Sequence, residues 1–364
     1  MASSEGSSDR PGEKAPLHAT ESSGGDVPRL GLALPEQPGT TAASISHILV
    51  PLDGSPLAES ILPVAVAVSR AFAARVTLMH VLESPHGGRA APRPVDPLEW
   101  EMTHAEIARY LEIRRQRLGE EGLAPTVEIV QGRPAEQILQ TARERGVDLV
   151  ALASHGASGT NSWARSATAE RVIALADTSV LVLPTHHAYE PTRRWRLERL
   201  LLPLDCSPRA EAAIPLAVAL ALREGAEIVV AHVVTAPELP RRIVASGRDR
   251  AMAEELTASN RKEAGEYLGG VVERLIARGV RARTRLLVSG RLVPTLLRLA
   301  DEESVDLTIL AAHGCSGDPG ERHGTVACRF LRDSRRAVLV CQDMTAVVRE
   351  SARADRMREN PAHH

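Results

Sequence analysis

"SHILVPLDGSP", residues 46–56, is the stretch on which the fold turns. His47 to Leu52 form a nearly unbroken apolar run, and Asp53-Gly54-Ser55-Pro56 closes it. A short apolar run ended by Gly and Pro reads as a buried strand followed by a turn. The pattern returns as "LERLLLPLDCSP", residues 197–208, where Asp205 stands in the place of Asp53. One strand and one turn, used twice, point to an internal duplication.

The order of segments around each copy agrees. After the first strand comes "LAESILPVAVAVSRAFAA", which reads as one helix beginning at Ser55-Pro56. "RVTLMHVL" is a second strand, and residues 98–122 form a long amphipathic helix. "PTVEIVQG" is the third strand, and "PAEQILQTARERG" a helix with Pro at its start. "VDLVALAS" is the fourth strand, "ATAERVIALAD" a helix and "SVLVLP" the fifth strand. The second copy repeats this with "GVRARTRLLVSGR", "SVDLTILAAHG" and "AVLVCQ". Strands alternating with helices specify an α/β fold, a parallel sheet with helices on both faces. We read two tandem doubly wound, Rossmann-like domains of five strands each, residues 45–185 and 198–343. A linker spans 186–197, and polar tails occupy 1–44 and 344–364. The fifth strands are apolar sheet edges, and such edges tend to be paired. Pairing them with each other makes the chain an intramolecular pseudo-dimer.

Composition narrows the function. Of 364 residues 43% are apolar but only 2% aromatic, so stacking platforms for single-stranded nucleic acid are scarce. A formal net charge of -2 gives no general attraction to nucleic acid or anionic lipid. The four cysteines, Cys206, Cys315, Cys328 and Cys341, form no C-x-x-C and no disulfide framework. The first residues lack the apolar core of a signal peptide, and the apolar runs are too short to span a bilayer. A cytoplasmic protein is expected.

The segment after the fourth strand carries the chemistry. In the second copy it reads "LAAHGCSGDPGERHGTVACRFL", residues 310–331; in the first, "LASHGASGTNSWARSATAERVI", residues 152–173. In doubly wound sheets ligands bind beyond the carboxyl ends of the strands, where the strand order reverses. Gly314 ends the strand, and Gly324-Thr325-Val326 opens the next helix. Backbone N–H groups at a helix start, next to glycines that admit close approach, hold phosphate. Thr325 supplies a hydroxyl, and Asp205 an acceptor for a ribose hydroxyl. Asp53 and Asp205 also fit a plain helix-capping role. His155, His313, His80 and His232 read as local structure rather than catalysts. Cys206 and Cys315 follow neighbouring strands but match no standard metal spacing.

The stretch resembles the universal stress protein family in its tandem form, whose fold is of the adenine nucleotide alpha hydrolase type. ATP-binding members carry G-x-x-G-x9-G-(S/T). The second copy matches with Ala311, Gly314, Gly324 and Thr325, three positions of four. The first reads Ala153, Gly156, Ser166 and Ala167, one of four, with Thr168 one place later. The resemblance implies that Asp53 and Asp205 approach ribose and adenine, and that Val81 and Val233 offer backbone contacts to adenine. With them go Pro51 and Leu52 in the first copy and Pro203 and Leu204 in the second. It implies ATP or AMP as ligand, Mg²⁺ or Mn²⁺ accompanying the phosphates, self-association and a stress-regulatory role. The expectation is a nucleotide-binding regulator with the better site in the second copy and at most slow ATP hydrolysis. The alternative is an interaction scaffold of the same fold that binds no nucleotide. No S-G-G-x-D-S loop, Walker motif or G-x-S-x-G elbow is present to support an enzyme.

Overall fold

The computed structural model describes residues 45–83, 97–154, 166–184, 195–235, 247–314 and 323–342. Its ten strands form one sheet in the order β3-β2-β1-β4-β5-β10-β9-β6-β7-β8. The first half supplies β1 (His47–Pro51), β2 (Arg75–Glu83), β3 (Thr126–Gly132), β4 (Leu149–Ala153) and β5 (Ser179–Leu183). The second supplies β6 (Arg199–Pro203), β7 (Glu227–Val234), β8 (Arg281–Val288), β9 (Leu307–Ala311) and β10 (Ala337–Cys341). The helices are α1 (Pro56–Glu59), α2 (Leu62–Phe72), α3 (Pro97–Glu120), α4 (Pro134–Glu144) and α5 (Ala167–Leu175). They continue with α6 (Ile214–Glu224), α7 (Gly247–Ala277), α8 (Leu292–Glu302) and α9 (Thr325–Asp333).

Within each half every strand pairing is parallel. The central strands β4, β5, β9 and β10 are buried along nearly their whole length, which is why they read as unbroken apolar runs. The halves meet where β5 and β10 pair antiparallel, Leu181 opposite Leu339, flanked by Val182 opposite Val338 and Val180 opposite Val340. The expected edge pairing is thus present. Across the seam α2 packs on α6 and α5 on α9. Because the seam is antiparallel, the strands of one half run against those of the other. The carboxyl ends of the two halves therefore lie at opposite edges of the sheet.

The first helix, expected to be continuous, is broken: α1 ends at Glu59 and α2 starts at Leu62, with Pro63 in its first turn. Proline has no N–H to donate backward and suits a helix start, so the chain restarts there. The second copy does likewise, with a 3₁₀ turn over Ala210–Ala213 before α6 and its Pro215. The amino ends of the strands are tied by Asp148 and Asp306. Asp148 accepts from the Ser46 and His47 amides at 2.8 and 3.0 Å. Asp306 accepts from those of Glu198 and Arg199 at 2.8 and 2.9 Å.

Candidate functional site

In both halves the strand order reverses between the first and fourth strands, β1 and β4 or β6 and β9. The crevice between their carboxyl ends is where a doubly wound sheet receives a ligand. Asp53 follows β1 and Asp205 follows β6, so each stands at that crevice. Each carboxylate organises its own turn: Oδ1 accepts from the Ser55 amide at 3.0 Å, and from the Ser207 amide at 3.0 Å. The serines, not the aspartates, cap the next helical turn, with Ala58 N donating to Ser55 Oγ at 3.1 Å and Ala210 N to Ser207 Oγ at 3.2 Å.

Asp205 reaches further than its turn. A Cβ built on Gly314 would run into Asp205 Oδ2 and lie 3.1 Å from its Cγ. Glycine is needed at 314 because the carboxylate lies against its Cα; the backbone angle does not demand it. Ala311 and Ala153 end β9 and β4 in extended conformation, so the alanines that replace the family's first glycine carry no left-handed strain. Gly156, its neighbour His155, and Cys315 lie outside the described residues.

The turn after the first strand needs a left-handed residue. Gly54 takes it at φ 85°; in the second half Cys206 takes it at φ 64°. A non-glycine there costs about 1 kcal/mol. Cys206 is exposed, and its Sγ lies 3.8 Å from His232 Nδ1, which also contacts the Leu204 carbonyl at 2.7 Å. That imidazole nitrogen therefore donates to Leu204 and locks the end of β6 to β7. His80 holds the matching place in the first half. Burial lowers its pKa, against a smaller opposing effect of the Leu52 backbone.

Strand parity positions Val81 and Val233. Leu204 N donates to Ala231 O at 2.9 Å, and Leu52 N to Met79 O at 2.8 Å. Backbone groups of a strand alternate sides, so Val233 and Val81 aim theirs the same way, past the ends of β6 and β1. Pro51 and Pro203 are half-buried while Leu52 and Leu204 are buried, forming the floor beside them.

The two helix starts differ. Ser166 is the N-cap of α5, and its Oγ accepts from Ala169 N at 3.2 Å. Thr168 is half-buried in that first turn. Gly324 is the N-cap of α9, with φ -67° and ψ 164°, and no side chain caps this helix among the described residues. Both caps are anchored alike, Ser166 N to Ser154 O at 3.0 Å and Gly324 N to Ala312 O at 2.7 Å. The first-turn amides of Thr325, Val326 and Ala327 stand at the positive end of the helix. Thr325 is exposed and Val326 half-buried.

One feature of both sites escapes motif reading. Glu59 and Glu211 stand at the same offset after Asp53 and Asp205 and are gripped by the long crossover helices. Arg114 of α3 pairs with Glu59 at 2.7 Å and lies 5.0 Å over the Tyr110 ring. Tyr267 of α7 donates to Glu211 at 2.7 Å, and Arg274 lies 3.4 Å away. Burial and the Glu211 carboxylate raise the Tyr267 pKa, so the phenol stays protonated and donates. The shared offset within the repeat was the signal available. Among the described residues no group of three or more His, Cys, Asp or Glu side chains could hold a metal ion. No helix there is long and apolar enough to cross a membrane.

The model of the universal stress protein family matches residues 44–184 and 196–342. Universal stress protein YxiE of Bacillus subtilis is 27% identical over 146 residues, 38% of this chain and 98% of that protein. A universal stress protein of Thermus aquaticus is 31% identical over 142 residues, 37% of this chain and 96% of its own length. Among solved structures, a universal stress protein from Archaeoglobus fulgidus superposes with a TM-score of 0.55 at 16% identity, covering 81% of this chain and 96% of that one. A putative universal stress protein from Pseudomonas aeruginosa gives 0.58 at 17% identity, covering 86% and 99%. At these identities the structural likeness concerns the fold.

Proposed function

The chain belongs to the universal stress protein family, and from that premise we propose that its second half binds an adenine nucleotide as a regulatory module of the stress response. The observation that carries this reading is the start of α9. Gly324 leaves the first-turn amides without a side-chain cap among the described residues, beside a Gly314 that lies against Asp205. Those amides and the Thr325 hydroxyl suit the oxygens of a phosphate chain. Asp205 suits a ribose hydroxyl. The backbone of Val233 suits the edge of a base, with Pro203 and Leu204 below and Ala311 beside it. Mg²⁺ or Mn²⁺ would be held by the phosphates themselves. The role in this reading is binding, with at most slow hydrolysis of ATP.

The first half, with Pro51, Leu52, Asp53, Val81, Ala153, Gly156, Ser166 and Thr168, is the weaker site. Its Ser166 hydroxyl already occupies one first-turn amide. In this reading the first half is mainly a scaffold to which the second is joined.

The test is isothermal titration with ATP, AMP and adenosine, alongside release of any nucleotide retained through native purification. We expect close to one ATP per chain, with ATP well above adenosine. Saturation at about 100 Kd adds roughly 2.7 kcal/mol of stability, readable as a thermal shift. No heat, no shift and no retained nucleotide would leave the scaffold reading standing instead.

A further inference from the structure

We propose that the free edge of β8 is a docking site for an extended acidic peptide of a partner protein, added to the sheet as one more strand. β8 ends the strand order, and no strand among the described residues pairs with its outer side. Ser289 N donates to Val234 O at 2.9 Å, so the odd-numbered residues of this segment turn their backbone groups toward β7. Backbone groups alternate along a strand, so those of Ala282, Thr284, Leu286 and Val288 face outward. Such a row of unpaired N–H and C=O groups is a template for a further strand.

The two faces beside that edge select the occupant. On one face, between β8 and α7, runs a groove of about 1060 Å³. Ala253, Ala258, Gly265, Leu286 and Val288 line it, with charged side chains of both signs around them. Small residues on α7 leave room there for the apolar side chains of an added strand. On the other face stand the odd-numbered side chains Arg281, Arg283 and Arg285. With Arg199 they bring four guanidinium groups to two carboxylates, Glu227 and Glu303. Arg283 and Arg285 share Glu303, while Arg281 donates to the Gly225 carbonyl at 2.6 Å and has no carboxylate partner among the described residues. Positive charge is therefore in excess along this side of the edge. A peptide that alternates acidic with apolar residues suits both faces at once. A second β8 does not: antiparallel pairing sets arginines against arginines, and like charges directly opposite destabilise a strand pair.

The first half supplies the contrast. Thr77 and Val229 are each third in their strands; Thr77 faces Thr126, and Val229 faces Arg283. Ala124, Thr126 and Glu128 thus hold the places of Arg281, Arg283 and Arg285, and Pro125 holds that of Ala282. Proline removes one outward N–H, and Glu128 is already paired with Arg145 at 3.0 Å. The edge of β3 has one donor fewer and no row of cations, so the acidic peptide belongs to β8.

The test is fluorescence anisotropy of a labelled short peptide that alternates glutamate with valine, titrated with the full chain in low salt. We expect saturable binding that weakens as salt rises. The same peptide with lysine in place of glutamate should not bind. Nor should the glutamate–valine peptide with every backbone amide methylated, which keeps its charges but cannot complete a ladder. Arg281→Glu reverses an exposed charge and is expected to weaken binding about tenfold. Ala282→Pro deletes an outward N–H that the sheet does not use, at a place where the first half already carries Pro125. It is expected to weaken binding about fivefold. Circular dichroism should show an unchanged fold for both variants. No binding by the glutamate–valine peptide, equal binding by the lysine or methylated peptide, or parent-like binding by either variant would each overturn the proposal.

Discussion

The two halves of this chain share strand order, seam and turn chemistry, yet their last helices begin differently. At α5 a serine hydroxyl turns back and accepts a first-turn amide, so the helix is finished by its own sequence. At α9 the same position is glycine, and no described side chain caps the helix. A serine N-cap satisfies a first-turn amide with its own hydroxyl; a glycine N-cap has no side chain to do so. The two mouths are similar, and a single side chain distinguishes one that caps itself from one that, in the reading proposed above, leaves its amides to a ligand.

The largest effect is expected at Gly314. Gly314→Val drives a side chain into the Asp205 carboxylate, which Ser207 holds at 3.0 Å through its amide. Nucleotide affinity in the second half should fall at least about tenfold, with a stability loss of about 1–3 kcal/mol from crowding. Titration and thermal unfolding report the two together. A variant that binds ATP as the parent does would mean that the crevice between β6 and β9 is not where the ligand sits.

Exchanging the caps tests the comparison itself. Gly324→Ser supplies α9 with the cap of α5. Gly324 already has a backbone that serine accepts, though the new Cβ would lie 3.3 Å from Ala312 O. Folding stability should change by only a few tenths of a kcal/mol, while ATP affinity falls several-fold as roughly one charge-assisted hydrogen bond is lost. The reverse change, Ser166→Gly, should cost a similarly small amount of stability and raise the number of ATP sites per chain above one. If neither exchange moves the stoichiometry or the affinity, the caps are not what distinguishes the halves.

Much of this architecture is written in local pattern. "ILVPL" and "LLLPL" announce strands because both faces of the sheet are covered, and the repeated Asp-x-Ser-Pro fixes where each ends. The β5–β10 seam was legible because an apolar last strand needs a neighbour. Other features depend on distances that only folding creates. That glycine is required at 314 by Asp205, and not by its own backbone angle, is invisible along the chain. The same holds for the grip of Tyr267 on Glu211, whose residues lie in different elements. Cys206 is the opposite case. Its left-handed backbone was legible from its alignment with Gly54, but a repeat alignment draws attention to what is shared, and this position differs.

The smallest expected effect contrasts the amino ends of the two sheet halves. His47 opens β1 where Arg199 opens β6. His47 is buried; its Nδ1 lies 3.0 Å from an Arg75 guanidinium nitrogen and 3.3 Å from the Arg145 carbonyl, and its Nε2 lies 2.8 Å from Thr77 Oγ1. Burial, then the Arg75 charge, lower its pKa below 6.5. The unfolded chain therefore binds a proton that the folded chain refuses. Stability from this group is complete above the unfolded pKa and is lost as pH falls from there toward the folded value. In the second half this place is held by Arg199, which pairs with Glu227 at 3.1 Å. Melting temperature followed from pH 7 down to about pH 5 should fall for the parent, and less steeply for His47→Gln. Glu303, held below the ordinary carboxylate range by its hydrogen bond to Arg283, should add its own loss only at lower pH. Equal slopes for parent and His47→Gln between pH 7 and about 5 would assign the acid sensitivity to other groups and remove this difference between the halves.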